Sequence, residues 1–205
     1  MIYDVSMAIT PTMTVYKNKA EKVPTFKTLS THQDSSAHET VLTMSLHTGT
    51  HMDFPLHMIQ DGGVSDDTIP KGLLGHVKVF DLTHVDRIEA HHLSSLEIHA
   101  GDVIFFKTKN SFDEAFDFQF VDVTASAAQY LKDKHIQGVG LDALGIERDQ
   151  AGHPTHKTLL GEDIFIIEGL RLKEVPQATY ELIALPLKII DVEALPLRVI
   201  LKTLS

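Results

Sequence analysis

Short runs of β-branched and aromatic residues recur along this chain at intervals that leave room for helices, and that alternation restricts it to few architectures. The runs are VLTMSLH at 41–47, HVKVFDLT at 76–83, DVIFFKT at 102–108 and GVGLDAL at 138–144, with further strands expected at 164–168, 180–190 and 197–202. Between them, TASAAQYLKDKH at 124–135 predicts a helix with Thr124 as N-cap and Ala128 and Leu131 facing inward. A shorter helix is expected at 90–96. Few helices among many strands, with proline-marked turns near Pro186 and Pro196, predict an α/β domain with a central mixed sheet instead of a regular doubly wound one. Residues 11–40 carry Pro11, Pro24 and many Ser and Thr, and read as a long loop or arm that shapes a pocket or a contact between subunits. The 205 residues, 43% of them hydrophobic, suffice for one compact domain over 1–205.

Charge and cysteine content narrow the chemistry. Lys plus Arg number 18 against 28 Asp plus Glu, a net charge of −10, so the basic footprint of a nucleic-acid binder is missing. The opening MIYDVSMAIT lacks the basic and apolar regions of a signal peptide, and no apolar run reaches membrane-spanning length; a soluble cytoplasmic protein is the expectation. With no cysteine there is no disulfide, thiolate ligand or thiol nucleophile. Any metal must therefore rest on imidazole and carboxylate.

The segment HTGTHMDFPLH at 47–57 supplies those groups. In VLTMSLH, Leu42, Met44 and Leu46 share one strand face, which puts His47 on the other face at a strand end. Gly49 permits a tight turn, and His51 and Asp53, two residues apart, are both able to point back toward His47. Imidazole nitrogen and carboxylate oxygen suit zinc, manganese or iron(II), and three protein ligands leave positions open for water and substrate. His57 follows Asp53 by four residues, beyond Pro55, as general acid or base, with a fourth ligand as the alternative. Further on, His153 and His156 precede KTLLGED, and Glu168 ends the apolar run IFII, where a carboxylate is either surface-exposed or partnered by a cation.

At these residues the chain resembles the cyclase family that includes bacterial kynurenine formamidases. Their signature HxGTHxDxPxH is matched by His47, Gly49, Thr50, His51, Asp53, Pro55 and His57. The resemblance runs nearly the whole length, through IYDVSMAIT, GDVIFFKT, the GLD at 140–142 and LPLKI. The family's HxxLL and EGL correspond to His156, Leu159, Leu160 and to Glu168, Gly169, Leu170. The resemblance implies a swivelling β/α fold, assembled as a homodimer or homotetramer whose subunits contribute to one another's pockets. It implies that Asp53 bridges two divalent metals, Zn2+ or Mn2+, with His47 and His51 on one side and His156 and Glu168 on the other. His57 would be the catalytic acid or base. One departure concerns the substrate: the family's WPG-like segment is replaced by TVYKNKAEKVP, and the chain has no tryptophan. Tyr16 stands near the expected aromatic, and Tyr16 or Phe26 would restore an aromatic wall.

The activity these features predict is hydrolysis of a small-molecule amide by metal-activated water with His57 as proton shuttle. An aryl formamide such as N-formylkynurenine, an intermediate of tryptophan catabolism, is the first expectation. A cyclic amide such as an isatin-like lactam is the second, and a metal- or ligand-binding protein without turnover is the third.

Overall fold

The computed structural model describes residues 1–204 apart from Asp67 and Glu114. Its ten strands are β1 (Ile2–Asp4), β2 (Thr25–Ser30), β3 (Glu39–Thr43), β4 (His51–Asp53), β5 (Leu74–Asp81), β6 (Val103–Lys107), β7 (Gly138–Leu141), β8 (Phe165–Glu168), β9 (Ala178–Pro186) and β10 (Ala194–Thr203). Three α-helices, α1 (Ala90–Leu93), α2 (Ala125–Asp133) and α3 (Pro154–Leu160), follow β5, β6 and β7.

Eight strands form one mixed sheet in the order β1-β10-β4-β8-β7-β6-β5-β9, and β9 pairs in turn with β10, so the sheet closes on itself as a barrel. The β5–β6, β6–β7 and β7–β8 pairs are parallel, each linked by a crossover that carries one of the helices; the remaining pairs are antiparallel. Closure produces two cores. Inside the barrel lie Val77, Val79, Phe105, Phe165, Ile167, Leu182 and Val199. Outside it, beneath the helices, lie Ile104, Phe106, Val139, Leu141 and Ile166 with Ala128, Leu131, Leu159 and Leu160. Thr124 caps α2 by accepting from the Ala127 amide at 3.3 Å, and Ala128 and Leu131 are fully buried, as the sequence predicts.

Several expectations are corrected. The run 41–47 is not one strand: β3 stops at Thr43, pairs only with β2 in a separate exposed hairpin, and leaves Leu42 45% exposed. The segment 11–40 is accordingly less irregular than expected, with 3-10 turns at Tyr16–Asn18 and Ala20–Lys22 before the hairpin. Pro186 closes β9 at the entry to the turn at 187–193, as expected, so β9 stops short of residue 190, whereas Pro196 sits inside β10. The helix expected at 90–96 is the single turn Ala90–Leu93. Helix α3 has no counterpart in the sequence reading. Among the described residues no helix is long and apolar enough to cross a membrane.

Candidate metal centre

The site lies on the outer, helix-covered face of the barrel at the carboxyl ends of β7 and β8, where parallel sheets place their binding crevices. Strand alternation puts His51 and Asp53 on that face and sends Met52 into the barrel interior. Glu168, the last residue of β8, is the register partner of His51, so the two side chains are cross-strand neighbours. Behind them the chain turns sharply. Gly169 has φ 73°, and a Cβ there would meet the Gly49 carbonyl oxygen at 2.5 Å, an approach only glycine allows. His47 lies in a turn closed by the Thr48 amide donating to the Ser45 carbonyl at 3.0 Å, not at a strand end. His57 ends the 3-10 turn Pro55–His57, and His156 stands on α3.

These elements bring the donor atoms to a common spacing. His51 Nδ1 is engaged by the Gly49 carbonyl at 2.9 Å, which leaves Nε2 to face Asp53 Oδ1 at 3.5 Å and Glu168 Oε2 at 3.4 Å. On the opposite side His156 Nε2 faces Asp53 Oδ2 at 3.7 Å and Glu168 Oε1 at 3.3 Å. Tetrahedral ligands about 2.1 Å from an ion stand about 3.4 Å apart, close to the two nitrogen–oxygen sides of each triangle, and in the His51 triangle all the donor atoms lie within 4.8 Å of one another. His47 Nδ1 lies 3.0 Å from Asp53 Oδ1 without the alignment of a hydrogen bond. His51 Nε2 and both Asp53 oxygens are buried with no hydrogen-bond partner. Buried polar atoms are seldom left so, and a divalent cation is the partner this donor set fits.

The electrostatics agree. Burial opposes ionisation of Asp53, yet His47, His51 and His57 hold it well below the usual carboxylate range. Burial and the Asp53 charge work against ionised Glu168, but His156 and His51 bring it below its ordinary value as well. Burial alone would lower His156; the Glu147 hydrogen bond and the charges of Glu168 and Asp53 instead raise it to about 10. His47 is raised against its burial by Asp53. His57 goes the other way: burial outweighs the attraction of Asp53 and pushes the imidazole down to about 4. Three concentrated carboxylates and histidines that take up protons to offset them describe a centre where positive charge is wanted.

The cavity over this centre measures about 140 Å³ and is lined by His47, His51, His57, His156 and Glu168, with Tyr16, Lys22, Met58, Leu144 and Gly145 as walls. Tyr16 packs edge-on to Phe116 at 5.2 Å between centroids, while Lys17 and Lys22 stand 5.5 and 5.3 Å over its ring and Lys17 pairs with Asp149 at 2.6 Å. A larger cavity of about 390 Å³ shares Leu144 but holds none of the donor groups, so the chemistry belongs to the smaller one.

The six residues expected to hold a metal or move a proton, His47, His51, Asp53, His57, His156 and Glu168, thus converge. The structure adds that Glu168 offers one oxygen to each triangle, as Asp53 does. His57, 4.1 Å from His47 between ring centroids, can also join His47 and Asp53 in a ligand group, so geometry leaves both of its readings open. Tyr16 reaches the cavity, whereas Phe26 lies exposed on the β2–β3 hairpin. Glu147, hydrogen-bonded to His156, was not found in the sequence. Its place in the loop after the parallel strand β7 was the available signal.

Comparison with known proteins places this geometry. The Cyclase family model, described as "Putative cyclase", matches residues 3–148. The kynurenine formamidase of Salinibacter ruber is 32% identical over 98% of this chain and 97% of its own. Among solved structures, a "predicted metal-dependent hydrolase from Bacillus stearothermophilus" is 52% identical with a TM-score of 0.89, covering 98% of this chain and 97% of that one. Isatin hydrolase A from Labrenzia aggregata is 26% identical with a TM-score of 0.81, covering 98% and 93%. On the family match and the near full-length similarity, this chain belongs to the cyclase family.

Proposed function

We propose that this protein is a metal-dependent amide hydrolase acting on carbon–nitrogen bonds other than peptide bonds, with an aryl formamide of the N-formylkynurenine type as substrate. The observation that carries the reading is the convergence of three buried, unpartnered atoms, His51 Nε2 and both oxygens of Asp53, with Glu168 and His156 completing the set. Zinc or manganese fits these ligands, one ion or two, with His47, His51, Asp53, His156 and Glu168 as the holding residues. A bound divalent ion supplies a water of lowered pKa and polarises a carbonyl oxygen.

The chain's own residues do the rest. His57, neutral at physiological pH because burial lowers it, has a free lone pair to take the proton of the attacking water and pass it to the departing amine. Tyr16, Met58 and Leu144 exclude solvent and present an apolar wall to an aryl ring. The cyclic-amide reading is favoured by the likeness to isatin hydrolase A, since ring opening of a lactam uses the same proton transfers. Steady-state assays on N-formylkynurenine, formanilide and isatin, beside metal analysis of the purified protein and its Asp53→Ala variant, test the reading. Activity on isatin alone promotes the second substrate; equal, negligible metal content in both proteins sinks the metal centre.

The assembly proposed is a homodimer or homotetramer. Phe26, Leu29, Val41 and Leu42 on the β2–β3 hairpin are between 40% and 55% exposed, and a lone two-stranded hairpin is marginally stable in water. Light scattering on the protein and on Leu42→Glu checks this; monomers in both refute it.

A further inference from the structure

One buried carboxylate stands outside both donor triangles yet grips one of their members. We propose that Glu147 is a positioning residue that holds the His156 ring so that Nε2 is presented to Asp53 and Glu168, a role that rests on the metal-dependent reading above.

Glu147 lies in the connection from β7 to α3 and is 2% exposed. Its Oε2 accepts the Thr155 amide at 3.0 Å, and its Oε1 accepts the His156 amide at 3.4 Å and His156 Nδ1 at 2.5 Å. The two amide bonds fix the carboxylate against the backbone of α3, and the third uses that fixed point to set the ring. With Nδ1 occupied as donor, Nε2 is the one nitrogen left to face the centre, 3.3 Å from Glu168 and 3.7 Å from Asp53. Metal-binding imidazoles are commonly backed in this way, and the backing group also raises the donor strength of the ring.

The opposite triangle is built differently. His51 Nδ1 meets the neutral Gly49 carbonyl, so one imidazole is backed by a peptide and the other by a carboxylate. The two sides of the centre are therefore unequal, and the His156 side would hold an ion by the stronger donor. The competing account is structural. The residue at the α3 N-cap, His153, has φ 47° and makes no capping bond, so Glu147 also does a cap's work from a distance.

Release of cobalt separates the two accounts. The protein is loaded with Co2+, its visible spectrum recorded, and the ion chased into excess EDTA; the release phase missing from His156→Ala belongs to the His156 side. In Glu147→Ala that phase is expected to accelerate about 10- to 100-fold while other release stays within about twofold. Glu147→Gln, which keeps an acceptor in place, should restore it to within about fivefold. Should the alanine variant not fold, Glu147→Met, of similar length without an acceptor oxygen, carries the comparison. Unchanged release in Glu147→Ala or Glu147→Met alongside a lower melting temperature of the metal-free protein would overturn the positioning role and leave a helix cap. A His156→Ala protein that loses no phase overturns it too, with the metal reading intact. No Co2+ uptake by the unsubstituted protein overturns both.

Discussion

Replacing Thr50 with valine tests how the two halves of the centre are tied together. Thr50 is 3% exposed; its hydroxyl donates to the Gly169 carbonyl at 2.7 Å and accepts from the Met7 amide at 2.7 Å. It thus joins the N-terminal segment, the strand that carries His51 and the residue after Glu168. Valine preserves the shape but leaves one buried donor and one buried acceptor unmet, at about 1–3 kcal/mol each. The added methyl returns about 0.8 kcal/mol of apolar burial, so the net loss is about 1–5 kcal/mol. For a chain of this size each kcal/mol moves the melting temperature by about 2–4 °C, which predicts a fall of roughly 2–20 °C. Thr50→Ser keeps both bonds, loses one methyl, and should fall by no more than about 4 °C. Urea denaturation and thermal scans of metal-free protein measure both variants. If valine were as stable as serine, or more so, the claim that this hydroxyl pins the two segments would be wrong.

Three other substitutions or conditions probe the site. His57→Ala should keep its metal and lose about two orders of magnitude or more in turnover, read by metal analysis beside kinetics; loss of the metal would make His57 a ligand. In metal-free protein His156 is raised above its ordinary 6.5 to about 10, so the stability it contributes is fully present below about pH 6.5 and is lost as pH climbs toward 10. Denaturant midpoints across that window should fall in the unsubstituted protein and stay flatter in His156→Ala; parallel curves count against the assignment. Tyr16→Ala should raise KM for aryl formamides more than it lowers kcat, with alkyl formamides affected less, and equal effects on both series would remove Tyr16 from the substrate wall.

How far the sequence discloses this protein differs between fold and site. Strands β6, β7 and β8 were legible because buried parallel strands are nearly continuous apolar runs, β5 because Val77 and Val79 alternate with the residues beside them, and α2 because its cap and inward residues follow the helical period. The run at 41–47 misled because LTMSL alternates as a half-buried strand does, whereas its partner is only the exposed β2. Helix α3 escaped because seven residues opened by Pro154 carry too little periodicity to register. Closure into a barrel depends on β9 pairing with both β5 and β10, a long-range choice with no local signature. The candidate ligands of the first motif were readable since His47, His51, Asp53 and His57 fall within eleven positions, but Glu147 sits in a backbone bend that no spacing announces.

The candidate ligands and the walls of this pocket have different owners. His51, Asp53 and Glu168 sit on the ladder between β4 and β8, where a slip of β4 by one residue would turn His51 and Asp53 away from Glu168. Tyr16, Lys22, Leu144 and Gly145 belong to connecting segments that can lengthen or change sequence without disturbing that ladder. Evolvability follows from this division of labour. Selection can reshape what enters the cavity by editing loops while the hydrolytic chemistry is inherited with the sheet. A laboratory seeking new amide substrates for this scaffold should therefore randomise residues 14–22 with Leu144 and Gly145, and leave 47–57, Ile146 and Glu147 untouched.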